Sequence, residues 1–478
     1  MHSGSYGELH ELGLAAAARA IRNGEVSSET YVGNLLERAR EHADLKAFIT
    51  IDEASVLQAA RQADRSVRAG GSAPLLGVPL SVKDSYLTKG LTTTLGTSVL
   101  ANFKPTRDAV AVTQVKDAGA IVFGKNNLVE MSYGLTGLNE HHGQVKNPYN
   151  KAHLTGGSSS GAGASVAARI IPAALGGDTV GSVRVPASLC GVVGYKPTPG
   201  RWPNGGVAPI SHTLDTTGLL ARSVEDCHLI DAVLTKSPVQ GWNRPANLQG
   251  MKFAYAPRQH LVDVDGEAES LFREALRKLK HAGAALVEID FGEDFLSLTA
   301  RTTWPIFFHE TLPAVREFLA ANEVPVSFEQ IYGGLGEHIK QGWSRYVVPS
   351  SADYVSDETY CTALNGNRQE LRRRLTSIAF EQADALIFPT TPCGAPQIED
   401  QWKFQIGGKE VTDIFLSRNT HPSSSAGLPG ISLPMGLNSD GVPLGLELDA
   451  AAGRDRDLLV LARAVEQVIG QVPGPAGL

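Results

Sequence analysis

The chain has 478 residues, of which 42% are hydrophobic and 19% charged, with a formal net charge of −7. Such a balance belongs to a folded protein with a sizeable core, and length alone does not decide between one large domain and several. No apolar run reaches the roughly 18 residues of a membrane span, and no long basic stretch offers an electrostatic footprint for nucleic acid, so small neutral substrates fit better.

The opening residues, M-H-S-G-S-Y-G-E-L-H-E-L, lack the basic start and apolar block of a secretory signal, which predicts cytoplasmic residence. Apolar residues recur at helical spacing over 8–22 and 28–42, with Gly24 between them, and a third helical stretch runs over 53–69. The run 77–83, G-V-P-L-S-V-K, is short and apolar and reads as a buried strand ending at Lys83. A lysine in that place is either a surface residue paired with Asp84 or a buried amine that desolvation keeps neutral enough to take a proton, and the local pattern leaves both open. A helix over 108–118 and a strand over 120–125 follow, then a polar loop to 150. His141 and His142 lie in that loop, and adjacent positions lack the i, i+4 geometry of a two-histidine metal site.

Beyond residue 190 the pattern predicts a strand and turn, a helix over 223–235, a connecting loop over 236–250, a strand from 251, a helix over 266–281 and a strand over 286–290. This alternation is the signature of an α/β architecture. Residues 295–350 then concentrate Trp304, Phe307, Phe308, Phe328, Tyr332, Trp343 and Tyr346. They read either as a helical insertion packed on the core or as rings lining an apolar pocket. A long helix over 364–382, strands near 385–392, 423–436 and 443–448, a helix over 456–469 and a poorly ordered tail, V-P-G-P-A-G-L, complete the chain. The four cysteines, 190, 227, 361 and 393, are widely spaced and form no CxxC pair, which argues against a disulfide framework or a structural zinc.

The stretch 156–186 carries the chemistry. Gly156 and Gly157 allow a sharp turn and close approach just before Ser158, Ser159 and Ser160. A helix of small residues then leads to D-T-V-G-S at 178–182, and Pro186 is expected to stop any helix there. A serine beside a run of backbone N–H groups is what an acyl-transfer nucleophile and its oxyanion site need. No histidine motif accompanies Ser182, so the usual helper of a serine nucleophile is missing from its neighbourhood. No G-K-[ST] follows the glycines, which weakens a phosphate-cradling reading.

Lys83 after G-V-P-L-S-V, Ser158 after a double glycine and Ser182 after D-T-V-G together resemble the amidase signature family. The resemblance extends through G-K-N-N-L-V-E, N-P-Y, C-G-V-V-G-Y-K-P-T at 190–198, L-D-T-T-G at 214–218, P-T-T-P at 389–392 and A-G-L-P-G-I-S-L-P near the end, nearly the whole chain. It implies a triad in which Lys83 is the base, Ser158, on a cis peptide bond, the proton relay, and Ser182 the nucleophile. Backbone N–H groups of Thr179, Val180, Gly181 and Ser182 would form the oxyanion hole. The expected fold is a single domain over 1–478, a three-layer α/β/α arrangement with a mixed central sheet, and residues 295–360 as an aromatic-rich helical insertion beside the substrate cleft. Met131, Trp304, Phe307, Trp343 and Tyr346 are the candidate substrate contacts. The implied reaction is hydrolysis of a small carboxamide through an acyl-Ser182 intermediate, with no metal or organic cofactor. The expected partner is a small-molecule amide, not nucleic acid or membrane, and a homodimer is left open.

Two departures bear on specificity. Val180 stands where many members of the family have glycine; it keeps the N–H but adds a β-branched side chain beside the oxyanion site. Val185 stands where glutaminase subunits of tRNA-dependent amidotransferases typically have glutamine. The run R-W-P-N-G-G-V-A-P-I-S-H-T-L-D-T-T-G at 201–218 resembles the branch that contains mandelamide and indoleacetamide hydrolases, which implies an aryl or arylacetamide-type substrate. The rival readings are a hydrolase of esters, hydrazides or carbamates, a non-catalytic binding protein on the same scaffold, and the glutaminase chain of an amidotransferase.

Overall fold

The computed structural model describes residues 9–238 and 247–477. Along the chain its strands are β1 (Phe48–Thr50), β2 (Pro79–Lys83), β3 (Ile121–Asn126), β4 (Ala173–Asp178), β5 (Val193–Lys196), β6 (Thr216–Ala221) and β7 (Lys252–Tyr255). They continue with β8 (Ala285–Glu288), β9 (Ala385–Pro389), β10 (Phe404–Ile406), β11 (Lys409–Val411), β12 (Gly430–Leu437) and β13 (Pro443–Asp449). Eleven of them form one sheet in the order β1-β3-β2-β4-β6-β5-β12-β13-β9-β7-β8, while β10 and β11 form a separate hairpin. The sheet is mixed: β3, β2 and β4 run parallel, as do β9, β7 and β8, and the pairs from β4 through β13 to β9 are antiparallel. Helices flank this sheet, so it is an α/β fold. Covered strands read as continuous apolar runs, and every residue of β2, β6, β9 and β13 is buried.

Predicted helices appear at Leu14–Arg22, Ser28–Glu41, Glu53–Arg68, Val110–Asp117, Val224–Leu234, Gly266–His281 and Asp455–Ile469. Four expectations need correction. The small-residue spacer is not helix throughout: helix Ser160–Ala167 is followed by β4, the strand that delivers the segment to Ser182. Pro186 does not block a helix; it lies in the first turn of helix Arg184–Cys190, where a missing N–H costs no hydrogen bond. Ser423, Ser424 and Ser425 belong to helix His421–Ala426, and β12 begins only at Gly430. The C-terminal tail is not loose, since the Tyr149 hydroxyl donates to the Pro473 carbonyl at 2.9 Å and Pro475 is buried. Part of the expected 236–250 loop, residues 239–246, lies outside the described residues, as do the N-terminal start through residue 8 and Leu478.

The spacer's composition has a packing cause. Helix Ser160–Ala167 lies against β2, β3, β4 and β6, and a Cβ on Gly161 would fall 2.2 Å from the Ala47 carbonyl oxygen. Only glycine allows that approach. The aromatic region is helical, with helices Phe295–Ala321, Phe328–Gly334, Glu337–Tyr346 and Asp357–Thr362. No helix among the described residues is long and apolar enough to cross a membrane.

Candidate active site

Lys83 closes β2, an inner strand of the sheet between β3 and β4, and is 1% exposed. Its Nζ donates to Ser158 Oγ at 2.7 Å. Burial lowers the amine from its usual range to about 7, against the opposing pull of Asp215 and Asp178. The surface reading of this lysine is therefore excluded, and Asp84 is not its partner. The Asp84 carboxylate accepts from the Thr94 N–H and hydroxyl and faces Lys125 Nζ at 3.5 Å.

Ser158 is fully buried and follows a cis Gly157–Ser158 peptide bond. Its carbonyl accepts from the Val129 N–H at 3.2 Å, and the next N–H, of Ser159, donates to the Ser182 carbonyl at 3.2 Å. The two serine segments are thus tied backbone to backbone. Ser182 lies in the turn between β4 and helix Arg184–Cys190 and is 4% exposed. Among the described residues its hydroxyl has no hydrogen-bond partner within the protein, so the Lys83–Ser158 link is formed and a Ser158–Ser182 hydroxyl bond is not.

The turn before Ser182 has its donors free. None of the N–H groups of Thr179, Val180, Gly181 and Ser182 donates to another group among the described residues, the pattern that an oxyanion site would need. The turn is held from behind. Thr420 Oγ1 donates to the Val180 carbonyl at 2.6 Å, and Gly181 takes a φ of +145°. A Cβ on Gly181 would meet Thr420 Oγ1 at 2.5 Å, so this position requires glycine on both counts.

A buried charge cluster anchors the same turn. Asp178 Oδ2 accepts from the Val183 N–H at 3.1 Å and from Arg184 Nε at 3.1 Å, and Arg184 Nη1 reaches Glu447 Oε1 at 3.1 Å. Burial alone would raise the Asp178 carboxyl, but Arg184 more than offsets it and holds the group below its ordinary value. Burial raises the Glu447 carboxyl. The motifs of the sequence do not point to this cluster, although Asp178 and Arg184 bracket Ser182 inside an otherwise uncharged run, a pattern that signals a buried pair.

Val180 points into an apolar cluster with Ile210, Leu214, Ile306 and Phe307, against which Trp304 packs. Trp304 and Phe307 rings stand 5.6 Å apart, and Phe307 is 5.0 Å from Tyr133. Met131 and the fully buried Trp343 belong to a second cluster, joined to the first through Tyr133, which is 5.3 Å from Trp343. Tyr346 stacks on Phe308 at 4.5 Å. The candidate substrate contacts are thus brought together as a packed layer, and of these only Phe307 and Trp304 share a cluster with Val180 of the 179–182 turn.

A cavity of about 480 Å³ reaches Lys83 along Gly177, Asp178, Thr179, Ser132 and Asp215. None of Trp304, Phe307, Trp343, Tyr346 and Met131 lines it, nor do Ser158 and Ser182. Asp215 is half-buried at its wall, and desolvation pushes its carboxyl up to about 6. His141 and His142 stay loop residues, His141 beside Glu130 Oε1 at 3.1 Å and His142 beside Thr94 Oγ1 at 3.2 Å.

Comparison with known proteins agrees with this geometry. A family model described as Amidase matches residues 31–459. The chain is similar to mandelamide hydrolase of Pseudomonas putida, at 35% identity with 98% of this chain and 93% of that protein covered. It is also similar to a glutamyl-tRNA(Gln) amidotransferase subunit of Desulforapulum autotrophicum, at 34% identity over 98% of this chain and 99% of that one. A solved structure described as a crystal structure of amidase superposes with a TM-score of 0.85 at 28% identity, covering 96% of this chain and 100% of that one. A match over most of the chain, in sequence and in fold, places the protein: it belongs to the amidase family.

Proposed function

We propose that the protein hydrolyses a small aryl or arylacetamide-type carboxamide to a carboxylic acid and an amine or ammonia through an acyl-Ser182 intermediate. The observation that carries the reading is the buried Lys83 amine, lowered to about 7 and 2.7 Å from Ser158 Oγ, next to a turn whose N–H groups are free. Ser182 Oγ attacks the amide carbonyl while its proton passes to Ser158, whose own proton moves to Lys83. The tetrahedral oxyanion rests on the N–H groups of the 179–182 turn. Return of the proton through Ser158 releases the amine, and water attacks the acyl-enzyme by the same route.

The aryl preference is supported by Val180 packing with Phe307 next to Trp304 and by the similarity to mandelamide hydrolase. Cytoplasmic residence belongs to the same proposal. Similarity to an amidotransferase chain favours a second reading, in which ammonia is passed to a partner-bound acceptor; Val185 counts against it. One experiment separates them. The purified chain is incubated with aryl and alkyl amides, esters, hydrazides and carbamates, and with glutamine. Products and any acyl-enzyme are read by mass. Aryl amide turnover with an adduct on Ser182, lost in Ser182→Ala, is the expected result; turnover unchanged in Ser182→Ala would sink the mechanism, and glutamine as the sole substrate would favour the amidotransferase.

A further inference from the structure

Asp215 immediately precedes β6 and binds two segments at once. Its Oδ1 accepts from Thr179 Oγ1 at 2.7 Å, and its Oδ2 accepts from the N–H groups of Ile210 and Ser211 at 2.7 and 3.0 Å. Thr179 is the first residue of the oxyanion turn and is 5% exposed. On the other side of the 210–215 loop stands Glu310, buried on helix Phe295–Ala321. Its carboxylate accepts from the Thr213 N–H at 2.9 Å, the Thr213 hydroxyl at 2.6 Å, the Tyr360 hydroxyl at 2.7 Å and the Ser211 hydroxyl. One short loop is therefore clamped between two carboxylates, one gripping the oxyanion turn and the other carried by the aromatic helix. The loop's apolar residues Ile210 and Leu214 meet Val180 and Phe307 across the same gap.

We propose that Asp215 is a positioning residue: by gripping Thr179 it fixes the oxyanion turn, and through the 210–215 loop and Glu310 it ties that turn to the seating of the aromatic helix. The inference rests on the acyl-Ser182 reading given above. An ionised carboxylate accepts all three hydrogen bonds, and bonds of that charge-assisted kind are the strong ones. Asparagine keeps the shape and its one oxygen can still accept from the loop N–H groups, but it turns an NH2 towards Thr179, so the bond to Thr179 Oγ1 loses its charge and reverses its direction. Asp215 also faces Lys83, and Asp178 and Glu310 lie close enough to act on the same pair, with the Tyr86 and Tyr133 phenols nearby. Arg107, Asp108, His212 and Glu317 line the cavity on the open side. Removing the Asp215 charge leaves Lys83 easier to deprotonate, so the acid limb of the rate profile moves to lower pH.

The test uses the full chain with phenylacetamide and the variants Asp215→Asn, Thr179→Val, Thr179→Ser and the double Asp215→Asn/Thr179→Val. Asp215→Asn is expected to lower kcat about 10–100-fold, with a smaller change in KM, because a misplaced oxyanion turn costs rate before it costs binding. Its acid limb should shift down, which a purely structural role would not produce. Thr179→Val should lose a similar factor, Thr179→Ser should keep most activity, and the double should be no worse than the poorer single, since both changes break one contact. Wild-type kcat in Thr179→Val, an unshifted acid limb in Asp215→Asn, or fully additive losses would overturn the proposal. Should Asp215→Asn not fold, the valine–serine pair at 179 still decides. A wild-type protein that neither turns over amides nor is acylated by a fluorophosphonate overturns the acyl-Ser182 reading and this inference with it; an active wild type with unaffected variants overturns this inference alone.

Discussion

Lys83 and Ser158 are joined by a 2.7 Å hydrogen bond between two buried side chains, and burial brings the lysine to about 7. If Lys83 is the base, it must be neutral to accept the proton that Ser158 relays. The rate constant kcat/KM for an uncharged amide should therefore climb about tenfold per pH unit below 7 and level off above it. A pH–rate profile flat down to pH 5 would show that Lys83 is not the base.

The same burial opposes stability. In the unfolded chain the lysine titrates near ~10.4, whereas in the folded state it titrates at about 7. Between these values the folded protein binds fewer protons than the unfolded one, so stability rises with pH across that window, and below 7 the full cost is present. Lys83→Met removes the cost, offset by about 1 kcal/mol for leaving Ser158 without its partner. We expect an inactive variant that is about 0.5–2 kcal/mol more stable at pH 6, with the gain shrinking towards pH 10. Urea unfolding at both pH values measures it; a variant less stable than wild type at pH 6 would contradict the linkage.

Gly181 tests the 179–182 turn without altering Ser158 or Ser182. At φ +145°, with Thr420 Oγ1 2.5 Å from where a Cβ would sit, Gly181→Ala must shift the turn. Misaligned donors cost about 10²–10³ in kcat, while KM should change little. Steady-state kinetics on a protein with unchanged circular dichroism gives the comparison; kcat within threefold of wild type (about 0.7 kcal/mol) would remove these N–H groups from the mechanism.

Much of this architecture is legible in the sequence because local and global preferences agree in it. β2 is a bounded apolar run and Asp455–Ile469 an amphipathic helix, so period and punctuation suffice. β4 and β6 are hidden for physical reasons. A-A-L-G-G-D in β4 has little β-branched content, and its pairing with β6 rests on distant partners, as Ala174 opposite Leu220, 46 residues on, shows. Ser158, Ser182 and Lys83 can be found by motif, and the hydrogen bond between Lys83 and Ser158 then joins two of them. Asp215 and Glu310 cannot be paired from sequence, since one lies in an ordinary D-T-T run at the start of β6 and the other on a helix 95 residues later. The aromatic positions are visible as composition, but which rings touch Val180 depends on how the Phe295–Ala321 helix seats, which composition does not encode.

The cluster behind the turn should dominate stability. Arg184 contacts both Asp178 and Glu447, each at 3.1 Å, with all three side chains fully buried. Arg184→Met takes from the buried Asp178 carboxylate the cation it is paired with and should cost about 3–5 kcal/mol. As a contrast, Arg40→Ala removes only the exposed Arg40–Glu53 pair and should leave stability close to that of the wild type. Equal losses in urea unfolding would mean that the buried cluster contributes no more than a surface pair.

Val180 separates substrate selection from turn support. Its N–H belongs to the free run at 179–182, while its side chain, 5% exposed, packs with Ile210, Leu214 and Phe307. Val180→Gly keeps the first and deletes the second. An apolar contact of this size is worth about 1–3 kcal/mol in discrimination, so kcat/KM for an aryl amide should fall about tenfold or more. A small aliphatic amide, which has no ring to make such a contact, should be hydrolysed within a few-fold of the wild-type rate. Parallel kinetics on phenylacetamide and propionamide give the ratio. A loss of the same factor on both would mean that the side chain supports the turn and does not choose the substrate, and the aryl assignment would then rest on similarity alone.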